Sequence, residues 1–582
     1  MIDTTLFNPY NEDVSLYSRN LYANIGIFGQ AHYPMNFYFY RKHGFNYKTL
    51  PYNAYLRTID NWQFHLPEDA YANLQYNFSN VKENRFSVAY AQKFTDELHF
   101  ELGLESIIAE GRYIMQKIRN VNVGASLQYK LPSNRYGFKM YYYLNFINNQ
   151  ENGGIADEGK FEEGAPPTAI PVRFNTNYAF NSIFQNTFFL RHYLSMSAKK
   201  AEDSTSTTIK NKIGYLVHDF EVGNTKNRFE AIKIDPDYFT MFNFSQDSIN
   251  DFVKSHQIRN SILWSSYMPE DTLPDKKYFI RFAAGIMHTF IGFKDTATSF
   301  KDNQLAPMGI LHLKLFDRLH VKANAITTLN GYNAGDISFE GLLAMDFFQK
   351  DKDGENQTIH QLQFKAGFYN YSVDYFFTHL IANNYAWDTN LKKQQTITAS
   401  IAWEHKNYSI GVNYYTLNNY TLLNEDCFPE QINKFANVYQ LAAYIPFNVK
   451  GFGINSNVYL QYTDNEQIRV PLLATRQTIY YGHHLFKKAL YLQLGLDFTY
   501  NTAYFGNEYN SVLQQFYLQN DKSTGNYPYL DVYLRLKLNR FQFQFKMTHF
   551  LAGVLGNYYY YVPYYPAKGR GFALGILWRF YD

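Results

Sequence analysis

The chain has 582 residues, a formal charge of +3 and 46% hydrophobic residues, with a mean hydropathy of −0.40. The near-balanced charge, without a basic run, argues against a nucleic-acid partner, and no stretch approaches the about 18 consecutive apolar residues of a transmembrane helix. A single cysteine, Cys427, in the loop-like stretch Asn424 to Pro429, excludes an internal disulfide framework and a cysteine metal cluster.

Residues 1 to 69 are rich in Tyr, Asn and Phe, with Gly26, Gly29 and Gly44 and prolines at 9, 34, 51 and 67. Apolar pieces such as Ile25 to Phe28 are too short for membrane-length strands. We read 1–69 as an N-terminal segment lying against or inside a barrel on its periplasmic side, and 70–582 as the barrel itself. Met1-Ile2-Asp3-Thr4 lacks a basic region followed by an apolar core, so the secretory signal is expected to have been removed before this numbering begins.

From Ala70 the texture is alternation. Leu98, Phe100, Leu102 and Leu104 alternate with His99, Glu101, Gly103 and Glu105. Val121 to Tyr129 alternate with Asn122, Gly124, Ser126, Gln128 and Lys130, and Phe138 to Phe146 form a third run. Leu492 to Phe498 and Phe541 to Met547 repeat the pattern late in the chain. Segments of about ten residues with this period, and no helix between them, are the signature of an all-β transmembrane antiparallel barrel.

The tightest links are Thr95–Glu97, Pro132–Arg135, Asp317-Arg318, His405–Asn407, Asn448–Lys450, Phe486-Lys487 and Asn539-Arg540. If these are periplasmic, alternation sends 148–182, 221–256, 372–393, 418–433, 505–525 and 552–569 to the outside, with all the long links on one side. Short periplasmic turns and long outer loops are what such barrels show, and the strands sum to an even number of about 18–22. That count takes Asn227–Asp235 as part of an outer loop.

The last strand is the most explicit. Phe572, Leu574, Ile576, Trp578 and Phe580 fall on one face, Ala573, Gly575, Leu577 and Arg579 on the other. We expect the aromatic face to meet outer-membrane lipid and to serve as the address read by the barrel assembly machinery.

Polar residues opposite the apolar faces are candidates for lining the lumen: Glu101, Glu105, Lys130, Asp497, Arg535, Lys537, Lys546 and Arg579. Glu110, Arg112, Lys117 and Arg119 are expected to cluster with the first two, on faces opposite the apolar ones. Charges there sit in water, whereas a Lys or Arg facing mid-depth lipid costs about 2–4 kcal/mol. Catalytic and metal motifs fail. Asp351, Asp353, Gly354 and Glu355 open like a calcium loop, but Leu362 stands where the bidentate Glu belongs. His483 and His484 are adjacent on a strand and point to opposite faces. Ser197 to Lys200 has Ser-x-x-Lys spacing without its companion motifs. No enzyme activity, cofactor or metal is expected.

Three pieces within residues 85–155 carry a family resemblance: Glu110-Gly111-Arg112-Tyr113, Asn134-Arg135-Tyr136 and Glu151-Asn152-Gly153-Gly154-Ile155. With Asp3-Thr4, Asn20-Leu21 to Gly29, and Tyr565-Pro566 to Phe572, the chain resembles the "putative porin" family of bacterial outer-membrane proteins. The resemblance implies an outer-membrane barrel with a pore role; its motifs are structural.

Three functions follow as expectations: a porin passing small polar solutes; a barrel subunit of a larger outer-membrane assembly, secretion or export complex; and a gated transporter with an N-terminal plug. For the second, outer-loop tyrosines (558–561, 564 and 565) would supply contacts to outer-membrane protein partners. Against the third, 1–69 is short for a plug domain. A lumen this wide needs narrowing, and we expect 1–69 to do it, with the acidic loop 148–182 staying at the surface.

Overall fold

The computed structural model describes residues 19–39, 43–62, 64–80, 82–174, 178–196, 213–233, 238–239, 241–268, 279–316, 318–350, 356–405, 408–557 and 559–581. The alternating segments become strands because period-two patterning gives each strand one apolar and one polar face, a distribution no helix can satisfy. Twenty-two of them form a closed, wholly antiparallel wall. The first eight are β1 (Tyr71–Ser79), β2 (Asn84–Lys93), β3 (Leu98–Ala109), β4 (Ile118–Lys130), β5 (Tyr136–Gln150), β6 (Tyr178–Ser195), β7 (Tyr215–Ile232) and β8 (Ser248–Ser265). The next seven are β9 (Ile280–Asp295), β10 (Ser299–Leu315), β11 (Leu319–Thr327), β12 (Ile337–Lys350), β13 (Asn356–Tyr371), β14 (Gln394–His405) and β15 (Ser409–Asn418). The last seven are β16 (Ala436–Val449), β17 (Phe452–Thr463), β18 (Leu473–Leu485), β19 (Leu490–Asn501), β20 (Tyr529–Leu538), β21 (Phe541–Thr548) and β22 (Gly571–Tyr581). Each pairs with its sequence neighbour, and β1 closes on β22 with Tyr71 opposite Tyr581 and Ser79 opposite Ala573.

Burial reproduces the expected faces. On β22, Phe572, Trp578 and Phe580 are exposed on the outer surface, Leu574 and Ile576 are half-buried beside them, and Ala573, Leu577 and Arg579 are buried inward. Exposed Leu102, Tyr142, Phe282, Ile286, Phe339, Ile401, Leu441, Leu460 and Phe545 continue the apolar surface around the ring. A water-soluble protein does not leave so large an apolar surface uncovered.

The end carrying both wall termini has tight links. Lys450 and Gly451 turn with positive φ of 50° and 90°. A Cβ on Gly451 would lie 2.3 Å from the Gly482 carbonyl oxygen, so only glycine fits there. The opposite end carries the links 151–177, 372–393, 419–435, 502–528 and 549–570.

Two expectations are corrected. Asn227 to Ile232 are not loop: they continue β7 and pair with both β6 and β8. Their outward residues turn polar, Arg228 pairing with Glu230 and bonding Asn250, because backbone pairing continues where the apolar alternation stops. Nor do all long links share one end. β6 ends at Ser195 and β7 begins at Tyr215, and β8 ends at Ser265 and β9 begins at Ile280, all at the tight-turn end, so neither length nor Gly and Pro content alone assigns a link to an end.

Replacing Trp578 and Phe580 together by Ala removes the terminal aromatics from the outer face. We expect several-fold less protein in purified outer membranes and more periplasmic degradation products on immunoblots; unchanged membrane levels would contradict the role given to this strand.

Candidate functional site

All eight candidate residues fall on the inward face. Glu101 and Glu105 are buried on β3, and Arg85 of β2 donates from Nε to Glu105 at 3.1 Å. Across the β1–β22 seam, four strands from β3, Lys546 of β21 lies 2.7 Å from Asp531 and 3.6 Å from Asp497, whose carboxylate also accepts from the Thr478 hydroxyl. Arg535 donates to Gln544 at 2.8 Å. Lys537 and Lys130 share the inward register nearer the tight-turn end, and Arg579 is buried on β22. The set falls within one stretch of the wall, β19 to β4, that straddles the β1–β22 seam. Arg119 is a correction: it is exposed and shares the outward register of Val121, while Glu110, Arg112 and Lys117 lie in the link between β3 and β4. His484 pairs across to inward Tyr491 and His483 to outward Leu492, so the two cannot share a ligand. The calcium-like run (351–355) and the Ser-x-x-Lys run (197–200) lie outside the described residues.

The inward polar groups meet the chain between Arg19 and Trp62. Near β3, His65 bonds Glu101 at 2.6 Å, and that carboxylate raises the imidazole's affinity for a proton. Trp62 rests on Gly103 and Gly124 and against Tyr141. A Cβ on Gly124 would lie 2.5 Å from the indole, so the glycine makes the seat. The Arg57 amide donates to Asn145 and its carbonyl accepts from the same side chain, both below 3.0 Å. Asn122 donates to the Tyr55 carbonyl, and Asn120 and Asn149 both donate to the Gly29 carbonyl at 3.0 Å. Gly29 adopts φ +77° under these two amides, and a Cβ would strike Asn120 at 2.4 Å.

The same segment crosses to the other side. A short hairpin, Tyr22–Asn24 with His32–Pro34, places the Met35 and Phe37 carbonyls against Gln461 and Gln440. Phe37 then packs on Tyr415, Phe39 on Tyr369, and Phe45 on Phe293 and Phe300. These partners are inward residues of β15, β13, β9 and β10, so with β3 to β5, β16 and β17 the segment touches the wall on several sides. Wall asparagines and glutamines thereby replace the strand partner an extended chain would otherwise need.

At the long-loop end the links fold inward onto the segment. Phe376, Leu380, Trp387, Leu423 and Cys427 join Phe45 and Tyr47 in one buried cluster, and burial pushes the Cys427 thiol up to about 11. Glu151 is a second junction, 3% exposed. It accepts from Asn181 at 2.7 Å and Ser511 at 2.8 Å, and from Tyr52, which also bonds Tyr509. One carboxyl thus ties the segment, β6 and the 502–528 loop. Burial raises it from an ordinary value of 4.5 to about 7, against the lowering effect of its donors.

Two surface expectations are corrected here. The 151–177 loop does not stay at the surface: Glu151, Ile155, Phe161, Ile170 and Phe174 are buried. Tyr560 and Tyr565 are buried too, and Tyr559 packs on Phe161, because each loop covers apolar residues of another; Tyr558 is outside the described residues. Sequence reasoning missed the seat at Gly103 and Gly124 and the Glu151 junction. A glycine on the inward face of an otherwise polar strand was the available signal for the first; nothing local marks the second.

Residues 1–582 match the family model described as "Putative porin", and the chain belongs to that family. It forms an outer-membrane β-barrel, with the tight turns at the periplasmic end. Among solved structures it is similar to the siderophore receptor PirA from Acinetobacter baumannii, at TM-score 0.59 and 9% identity over 89% of this chain and 81% of that one. PiuA from the same organism gives 0.56 and 9%, over 88% and 82%. The ferric enterobactin receptor PfeA from Pseudomonas aeruginosa gives 0.58 and 10%, over 88% and 80%. At such identities the likeness is one of fold. No curated protein matches the sequence.

Two outcomes follow from the contacts. Between 4.5 and about 7 buried Glu151 holds a proton that an exposed carboxyl would release. The closed junction is therefore fully favoured at acidic pH and loses on the order of 3 kcal/mol as pH rises through that window. Planar-bilayer recordings should show more opening at about pH 8 than at about pH 5, and Glu151→Gln should abolish the difference; pH-independent gating of the unmodified chain would contradict this. Separately, Gly124→Val should expel the Trp62 indole at about 1–3 kcal/mol and speed tryptic cleavage after Arg57; unchanged cleavage would count against the seat.

Proposed function

We propose that the chain is a transport barrel for small polar solutes, closed at rest by its own residues 19–62 and by the loops folded onto them. The observation that carries this is the set of hydrogen bonds from inward Asn and Gln side chains of β4, β5, β16 and β17 to the segment's carbonyls. A wall of 22 strands encloses more space than its own side chains fill, so such a barrel is either open or plugged. A polar contact surface suits a plug that must leave, since each neutral hydrogen bond contributes only about 0.5–1.5 kcal/mol net and water can replace it.

The solved barrels it resembles include siderophore receptors. That likeness supports a transport role for a barrel of this size and leaves the cargo open. The reading as a subunit of an assembly or export complex loses part of the feature that motivated it, because Tyr560 and Tyr565 are buried while Tyr559, Tyr561 and Tyr564 stay half-buried.

The test is conductance. Deleting residues up to Pro67 should leave a heat-modifiable, folded barrel whose single-channel current is several-fold that of the full chain. Removing 156–169, beyond Glu151, should have a smaller effect. If the truncated barrel conducts no more than the full chain while the loop deletion opens it, the closure belongs to the loops.

A further inference from the structure

The outward surface of β6 to β10 carries a feature that transport through the lumen does not use. Lys254 on β8 stands directly opposite Lys226 on β7 and Lys294 on β9. One row nearer mid-membrane, His256 stands opposite Asn224 and Gly292, and Gly292 opposite Lys301. All four lysines are exposed, whereas their neighbours Asn227, Phe293 and Asp295 are buried inward. Together they rim a groove of about 690 Å³. Its floor exists because Gly292 lacks a side chain: a Cβ there would meet nothing closer than 3.9 Å.

Like charges directly opposed across strands are destabilising. Among the described residues none of the four lysines has a carboxylate partner, and the nearby outward carboxylate, Glu230, is taken by Arg228. The height of the patch is informative. Toward the periplasm most outward residues are apolar, with Phe220 and Val222 on β7, Ile258 and Ile262 on β8, and Phe282, Ile286 and Phe290 on β9; the polar ones among them, His218, Asn260 and His288, are hydrogen-bonded to neighbouring side chains. Lys294 lies one residue before the outer turn that starts after Asp295. The lysines therefore sit where the apolar band ends on the outer side, at the level of outer-leaflet headgroups. Adjacent strands are ~4.8 Å apart, so three ammonium groups span about 10 Å, wide enough to meet more than one phosphate.

We propose that Lys226, Lys254, Lys294 and Lys301 form a binding site for the phosphorylated headgroup of an outer-leaflet glycolipid, whose acyl chains lie along the apolar residues below. Cations near a surface attract anionic headgroups, and this attraction is screened by salt. Phe184, exposed opposite Lys226, and Phe290, at the lower edge, offer the chains an aromatic contact.

The test uses the full-length chain in phosphatidylethanolamine nanodiscs, titrated with bis-phosphorylated lipid A and read by native mass spectrometry. Binding should be at least about tenfold stronger than for dephosphorylated lipid A, fall with rising salt, and survive millimolar inorganic phosphate. The variant Lys226→Gln, Lys254→Gln, Lys294→Gln, Lys301→Gln should lose that preference while keeping its thermal transition, because these side chains touch nothing inside the wall. Should it fail to fold, the double variant Lys254→Gln, Lys294→Gln and the salt titration of the unmodified chain decide. Equal binding of the two lipids, a variant indistinguishable from the unmodified chain, or full displacement by inorganic phosphate would overturn the proposal.

Discussion

Everything in this structure depends on the pairing of β1 with β22. Inside a bilayer an unpaired backbone N–H or C=O costs several kcal/mol, so a sheet crossing it cannot have an edge. Tyr71 to Ser79 meets Tyr581 to Ala573 along nine paired residues, and that seam turns 22 antiparallel strands into one hydrogen-bonded surface. Closure then imposes the rest. Every strand presents alternate residues to the inside and to the bilayer, which is why aromatic Phe572 and Trp578 and charged Arg579 coexist within one strand.

Closure at this size creates a second problem, an interior lined by polar side chains too far apart to satisfy one another. Neighbouring parts of the wall solve it differently. Around Lys546 the wall satisfies itself, with Asp531, Asp497, Arg535 and Gln544 forming one network. Around β3 to β5 the wall turns to the N-terminal segment, whose carbonyls receive Asn120, Asn122, Asn145 and Asn149. Beyond its one short hairpin the segment needs no larger sheet or helical core of its own, because the wall supplies its partners. Short length is therefore no obstacle to occupying the lumen. Glu151 joins the segment to the outer loops, so loosening either loosens the other.

The wall was legible because period two is a strong local signal: the faces of β3, β4, β5, β19, β21 and β22 could be read residue by residue. Two of the errors along the strands share one cause. Asn227 to Ile232 continue a strand whose outward residues have become polar, and Arg119 lies at a strand end where the same change occurs. Alternation reports the bilayer, and strands run past it. The interior was harder, because contacts such as Glu151 with Ser511, 360 residues apart, leave no trace in any local window. Inward orientation of Glu101 or Lys546 could be read from the sequence; what each would touch could not.

The central claim is that residues 19–39 and 43–62 lie against the wall of the resting barrel, and the accessibility of one inward side chain tests it most directly. Ser126 points inward from β4 and is 3% exposed. With Cys427 replaced by Ser, a thiol at Ser126→Cys differs little in size from the hydroxyl. A hydrophilic thiol reagent added to the folded barrel should modify it far more slowly than a thiol placed in the exposed turn at Asp96. Modification of both at similar rates would mean an open lumen and would contradict the account.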